Sequence, residues 1–181
     1  DMEKIVRDVE DRVREVEDRL RRIAERNKRE IERVVEELKK TVKEIEDKVR
    51  EVVKRLEEKG IDESLRERVE KVVRDVVREN EELIKEVEDA VRESLKIVKD
   101  LIDEVRRVVA EVERIIRENG ELEEVLRKVV TDLERILRRV LEDAKRVHEE
   151  SKRRLDDVRR RSEDSVRRLE EELKRVEEEV D

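Results

Sequence analysis

Aliphatic side chains recur along this chain at steps of three and four residues, and the steps repeat after eighteen. Val13, Ile31 and Val49 match in this way, as do Val16, Val34 and Val52, and Leu20, Leu38 and Leu56. Steps of three and four mark an amphipathic α-helix. Eighteen residues make five turns of 3.6, so the apolar stripe returns to one face without drift. A seven-residue repeat winds helices left-handed about one another and an eleven-residue repeat right-handed, whereas eighteen asks for neither, so nearly straight helices are expected.

The chain's only two glycines, Gly60 and Gly120, divide this pattern into three segments of almost equal length. Helices are expected over about 2–59, 62–118 and 122–180. The match at eighteen continues through the central segment, in Val69, Val87 and Val105, and through the last, in Leu137, Leu155 and Leu173 and in Leu122, Val140, Val158 and Val176. Each helix would be about 87 Å long at 1.5 Å per residue. Linkers this short join antiparallel neighbours. The expected fold is all-α, an antiparallel up-down-up three-helix bundle of very long, nearly straight helices in a single elongated domain over 1–181. Asp1 and Glu3 suit the start of the first helix, and Lys59 with Gly60 suits its end. Ser64 and Glu67 make a capping box for the second helix, with Asp62 as a competing cap.

An isolated glycine inside a helix costs only about 1 kcal/mol, so glycine alone does not prove a turn. The uncharged polar residues supply a second argument. They are Asn27, Thr41, Ser64, Asn80, Ser94, Asn119, Thr131, His148, Ser151, Ser162 and Ser165. In an antiparallel hairpin of uniform rise, residues at one height have numbers with a constant total. Residues 27 with 94, and 41 with 80, share the total 121; residues 94 with 148, and 80 with 162, share 242. These totals place the reversals at the two glycines. Two matching polar levels result: Asn27, Ser94, His148 and Ser151, then Thr41, Asn80, Ser162 and Ser165. Their expected role is to hydrogen-bond inside the bundle and penalise slipped registers, because a buried unpaired polar group costs about 1–3 kcal/mol. Thr41, His148 and Ser165 lie at the stripe's edges, and Thr131 falls outside it and is expected on the surface.

Charged residues make up 59% of the chain, with 57 acidic and 49 basic side chains interspersed. No Lys/Arg-rich face free of acids appears, and Phe, Tyr and Trp are lacking, so no nucleic-acid partner is expected. Arg159, Arg160 and Arg161 are diluted by Asp156, Asp157, Glu163 and Asp164. No stretch of 18 apolar residues exists to cross a membrane, and a soluble chain is expected. Without cysteine there is no thiol chemistry. His148 is the sole histidine, and the bundle metal pattern Glu-x-x-His would need glutamate where Lys145 stands. No phosphate-cradling glycine loop and no nucleophile with base and orienter can be assembled. No catalytic, metal or cofactor residue is assigned, no cofactor is expected and no partner is required.

Aliphatic-only core positions such as Val69 to Ile116, surfaces of Glu, Lys, Arg and Asp, short glycine linkers and arithmetically placed polar levels resemble de novo designed parametric helical bundles. The resemblance covers the whole chain and implies a structural scaffold without natural biochemical activity. Spectrin-like three-helix repeats are similar only in outline, since their core aromatics are missing here. The rival reading is a subunit of a helical homo-oligomer or hetero-assembly. It rests on the second helix, whose stripe takes in Val77 and Leu95 on one flank and Ile97 and Ile115 on the other, spanning ~160° against ~120° in the first helix. A third reading, an amphipathic membrane-surface protein, ranks last because such helices present Trp or Phe and a basic border.

Overall fold

The computed structural model describes residues 2–119 and 123–180. These form α1 (Met2–Glu58), α2 (Glu63–Asn119) and α3 (Glu123–Val180), of 57, 57 and 58 residues, packed against one another as an all-α three-helix bundle. No strand occurs among the described residues. Where the expected helix boundaries fall on described residues, α1 and α2 and the end of α3 agree with them to within a residue. The predicted cap Asp1, the predicted turn at Gly120 and the predicted helix start at Leu122 lie outside the described residues.

The link between α1 and α2 shows how its sequence ends one helix and starts the next. Gly60 adopts φ +76°, a left-handed conformation that costs an L side chain more than it costs glycine. With Gly60 so turned, the Ile61 N–H reaches the Leu56 carbonyl at 3.3 Å and the Gly60 N–H reaches the Glu57 carbonyl at 3.1 Å. These are the two bonds of a Schellman motif, and they satisfy carbonyls that the helix end would otherwise orphan. Ile61 packs against the same apolar cluster as Leu56, which completes the motif. Asp62, not Ser64, caps α2: its Oδ1 accepts from the Leu65 N–H at 3.0 Å. Asp62 stands one residue outside the helix, where its backbone is free to turn the carboxylate back; Ser64 is already inside.

Contacts gather the chain into two compact units, each threaded by all three helices. Unit 1 comprises Asp1–Arg29 and Val91–Lys152, and unit 2 comprises Glu30–Ala90 and Arg153–Asp181. Unit 1 has an apolar interior that includes Val16, Leu20, Val105, Leu137, Val140 and Ala144, none of them exposed. Its ion pairs report helix direction. Arg12 meets Glu134 at 3.2 Å, an offset of 122, and this is the parallel α1–α3 pairing. Arg106 meets Glu17 at 3.9 Å, and Arg139 pairs with Glu104, both across antiparallel neighbours.

Unit 2 is built around Leu56, Val69, Leu169 and Val176, all but sealed from solvent. Lys48–Glu170 at 2.9 Å and Arg159–Glu37 at 3.0 Å repeat the α1–α3 offset of 122 within this unit. Arg161–Glu86 at 2.7 Å and Arg168–Glu79 at 3.0 Å cross its α2–α3 seam. Arg66 pairs with Glu57 across its α1–α2 seam.

Burial follows the eighteen-residue rows. Val16, Val34 and Val52 are all buried, as are Leu20, Leu38 and Leu56, whereas Ile5, Ile23 and Thr41, one row further round α1, are all half-buried. Positions eighteen apart present the same face, so a row shares one depth wherever its members sit along the helix.

Candidate functional site

The polar levels are the candidate site, and each lies within a single unit. In unit 2, Asn80 is 0% exposed, Ser165 0% and Ser162 5%. The Ser162 hydroxyl donates to Asn80 Oδ1 at 2.6 Å. Asn80 Nδ2 donates to the Ser165 hydroxyl oxygen at 2.9 Å and to the Val76 carbonyl at 2.8 Å. Ser165 then donates to the Ser162 carbonyl at 2.9 Å. Every polar atom of the asparagine side chain is therefore engaged in a dry setting, where an unmade bond is most costly.

Two acceptors in this cluster, the Val76 and Ser162 carbonyls, were not expected from side-chain spacing alone. Their signal is local. A polar side chain in a helix reaches the carbonyl three or four residues earlier, and 76/80 and 162/165 are such pairs. Thr41 does not join the cluster. It is half-buried, and its hydroxyl donates to the Glu37 carbonyl of its own helix at 2.9 Å. The expectation of a four-residue level is corrected to Asn80, Ser162 and Ser165, because Thr41 occupies the edge row of Ile5 and Ile23.

In unit 1, Asn27 (4% exposed), Ser94 (7%) and Ser151 (6%) are buried, and His148 is half-buried in the row of Val130 and Val166. The direct bonds expected across this level do not reach Asn27 Oδ1, which is buried without a hydrogen-bond partner among the described residues. Thr131 is exposed, as expected for a position outside the stripe, and its hydroxyl donates to the Arg127 carbonyl at 2.9 Å.

Charge lies on the rims. The hydrogen bond to Glu179, followed by that to Glu172, holds the Arg68 guanidinium above its ordinary value, and Glu86 does the same for Arg161. The hydrogen bond from Arg114 lowers the Glu111 carboxyl below the usual carboxylate range. These are exposed or edge pairs, each of small energetic effect. Among the described residues no group of three or more His, Cys, Asp or Glu converges as a metal site would require. No described helix is long and apolar enough to cross a membrane.

Apolar surface remains on α2 in unit 1. Leu95 and Ile97 are 38% and 37% exposed, on the two flanks expected to carry surplus apolar surface. A groove of about 210 Å3 between α1 and α2 is lined by Val6, Val9, Val13, Val109, Val112 and Ile116, with Glu10, Arg14, Glu17 and Glu113 at its rim. No protein-family model, curated protein or solved structure matches this chain.

Proposed function

We propose that this chain is a designed structural scaffold without natural biochemical activity, in which buried polar clusters specify helix register. The observation that carries this reading is the closed set of bonds among Asn80, Ser162 and Ser165 at 0–5% exposure. Such a cluster adds little net stability over an aliphatic one, yet any slip of α2 against α3 would set an amide against valine. Aliphatic-only cores on an eighteen-residue repeat support a designed origin. The test is the triple substitution Asn80→Val, Ser162→Ala, Ser165→Ala. The variant is expected to stay helical and as stable as the parent while showing several sets of amide resonances from mixed registers. A single native-like spectrum would reject the register role.

A second reading is favoured by Leu95 and Ile97: the chain as a subunit of a helical homo-oligomer or hetero-assembly that binds through α2. Mass determination by light scattering separates the two. The scaffold reading expects a monomer. The assembly reading expects a higher mass that falls to the monomer's when Leu95 and Ile97 are both replaced by lysine.

A further inference from the structure

The Asn27 level of unit 1 presents a buried acceptor with nothing to accept from. Asn27 is 4% exposed, and its Oδ1 is buried without a hydrogen-bond partner among the described residues. The ion pairs of the same unit locate what surrounds it. Arg12 with Glu134 sets the α1–α3 offset at 122, which puts position 149 opposite Asn27, between His148 and Ser151. Arg106 with Glu17 gives α1–α2 neighbours a total of 123 (106 with 17), which puts position 96 opposite Asn27, two residues from Ser94. Four polar side chains on three helices therefore share one level, and three of them are more than nine-tenths buried.

An amide oxygen only accepts, so its partner must donate. The donors at this level that are not exposed are serine hydroxyls, carried one carbon nearer the backbone than an asparagine amide, and a ring in a half-buried edge row. A metal ion is a poor match, since one imidazole and neutral oxygens supply none of the carboxylates or thiolates that hold one. Water fits the chemistry. It donates twice and accepts twice, spans groups too far apart to bond directly, and in protein interiors takes roughly three hydrogen bonds from such otherwise unsatisfied groups.

We infer that the Asn27, Ser94 and Ser151 level is an internal hydration site, where a long-lived water donates to Asn27 Oδ1 and bridges it to a serine hydroxyl. This does not depend on the scaffold reading, and it separates this level from the Asn80 cluster, which closes on its own atoms.

The test is oxygen-17 magnetic relaxation dispersion on the full chain, which measures long-lived internal waters. Asn27→Leu is expected to lose at least one such water, and Asn80→Leu to lose none. An unchanged signal in Asn27→Leu overturns the proposal. Should that variant fail to fold, a crystal structure of the parent chain decides. Ordered water within hydrogen-bond distance of Asn27 Oδ1 supports the site, and a direct bond to Oδ1 from Ser94, Ser151 or His148 overturns it.

Discussion

Asn80 and Asn27 are both asparagines set among aliphatic side chains, at 0% and 4% exposure, each with a pair of polar residues three apart on α3 at its own level. One closes its bonds and the other leaves an oxygen unmatched. The two levels also differ in which helix carries the amide and which way the α3 pair is turned. In unit 2 the amide is on α2, and Ser165 lies about 40° round α3 from Arg161, the residue that pairs with α2, at 100° per residue. In unit 1 the amide is on α1, and His148 lies about 40° from Glu134, the residue that pairs with α1. The amide thus follows the side toward which the α3 pair faces. What changes is the pair itself, two short hydroxyls in one case and a hydroxyl with an imidazole in the other. Two serines three apart bracket one amide; a ring in an edge row does not.

The α2-facing rows of α3 repeat the contrast. Val125 and Ile136 in unit 1 and Arg161 and Glu172 in unit 2 occupy equivalent rows, thirty-six residues apart. Unit 2 covers this face with ion pairs, Arg161–Glu86 at 2.7 Å and Arg68–Glu172 at 2.6 Å. Unit 1 covers it with half-buried aliphatics. Rim ion pairs add little stability, but they keep water and stray hydrophobes off a seam; aliphatics at the same place extend the core and leave apolar surface showing.

The comparison breaks first at the asparagines. Asn80→Ala is expected to lower the unfolding free energy by about 3 kcal/mol, because it strands the buried Ser162 hydroxyl, removes the donor to Ser165 and leaves a cavity, whereas Asn27→Ala should cost about 1 kcal/mol or less. Urea midpoints at constant slope measure both, and equal losses would erase the distinction. Replacement by leucine sharpens it. Asn27→Leu removes an acceptor that no protein group meets, together with the water that bridges it, and is expected to shift stability by less than about 1 kcal/mol, while Asn80→Leu still lowers it.

Smaller effects belong to the α1–α2 link of unit 2. A Cβ on Gly60 meets nothing within 4 Å, so Gly60→Ala is penalised by its positive φ alone, by about 1 kcal/mol. Asp62→Ala should cost a similar ~1 kcal/mol as a lost cap, and Ser64→Ala almost nothing. Hydrogen exchange at Glu63–Leu65 reads these directly, and equal sensitivity to Ser64 and Asp62 would restore the capping box. The smallest effect is on pH. Arg114 lowers the Glu111 carboxyl in the folded chain, so this pair stabilises above the ordinary carboxylate range and is lost as pH falls through the lowered value. Glu111→Gln should therefore lose slightly less stability on acidification than the parent, as urea midpoints at neutral and acid pH would show.

Much of this was legible in the chain. Helix ends were placed to within a residue by the stripe and the glycine, since the Schellman motif is local and needs only Gly60 with Leu56 and Ile61. Angle alone marks Thr41, His148 and Ser165 as edge positions; the first two are half-buried, but Ser165 is fully buried, because its hydroxyl is drawn into the Asn80 cluster. Which residue would cap α2 was not legible, because Asp62 and Ser64 differ by a backbone turn rather than by chemistry.

Periodicity by itself determined three helices, their lengths and their inward faces, because an α-helix converts residue number into angle and height by fixed geometry. Tertiary structure alone decided which polar atoms meet. A hydrogen bond forms or fails over a few tenths of an ångström, and that distance depends on how three helices are turned toward one another. So Asn80 finds Ser162 and Ser165, while Asn27, written in the same alphabet, keeps one oxygen without a donor among the described residues.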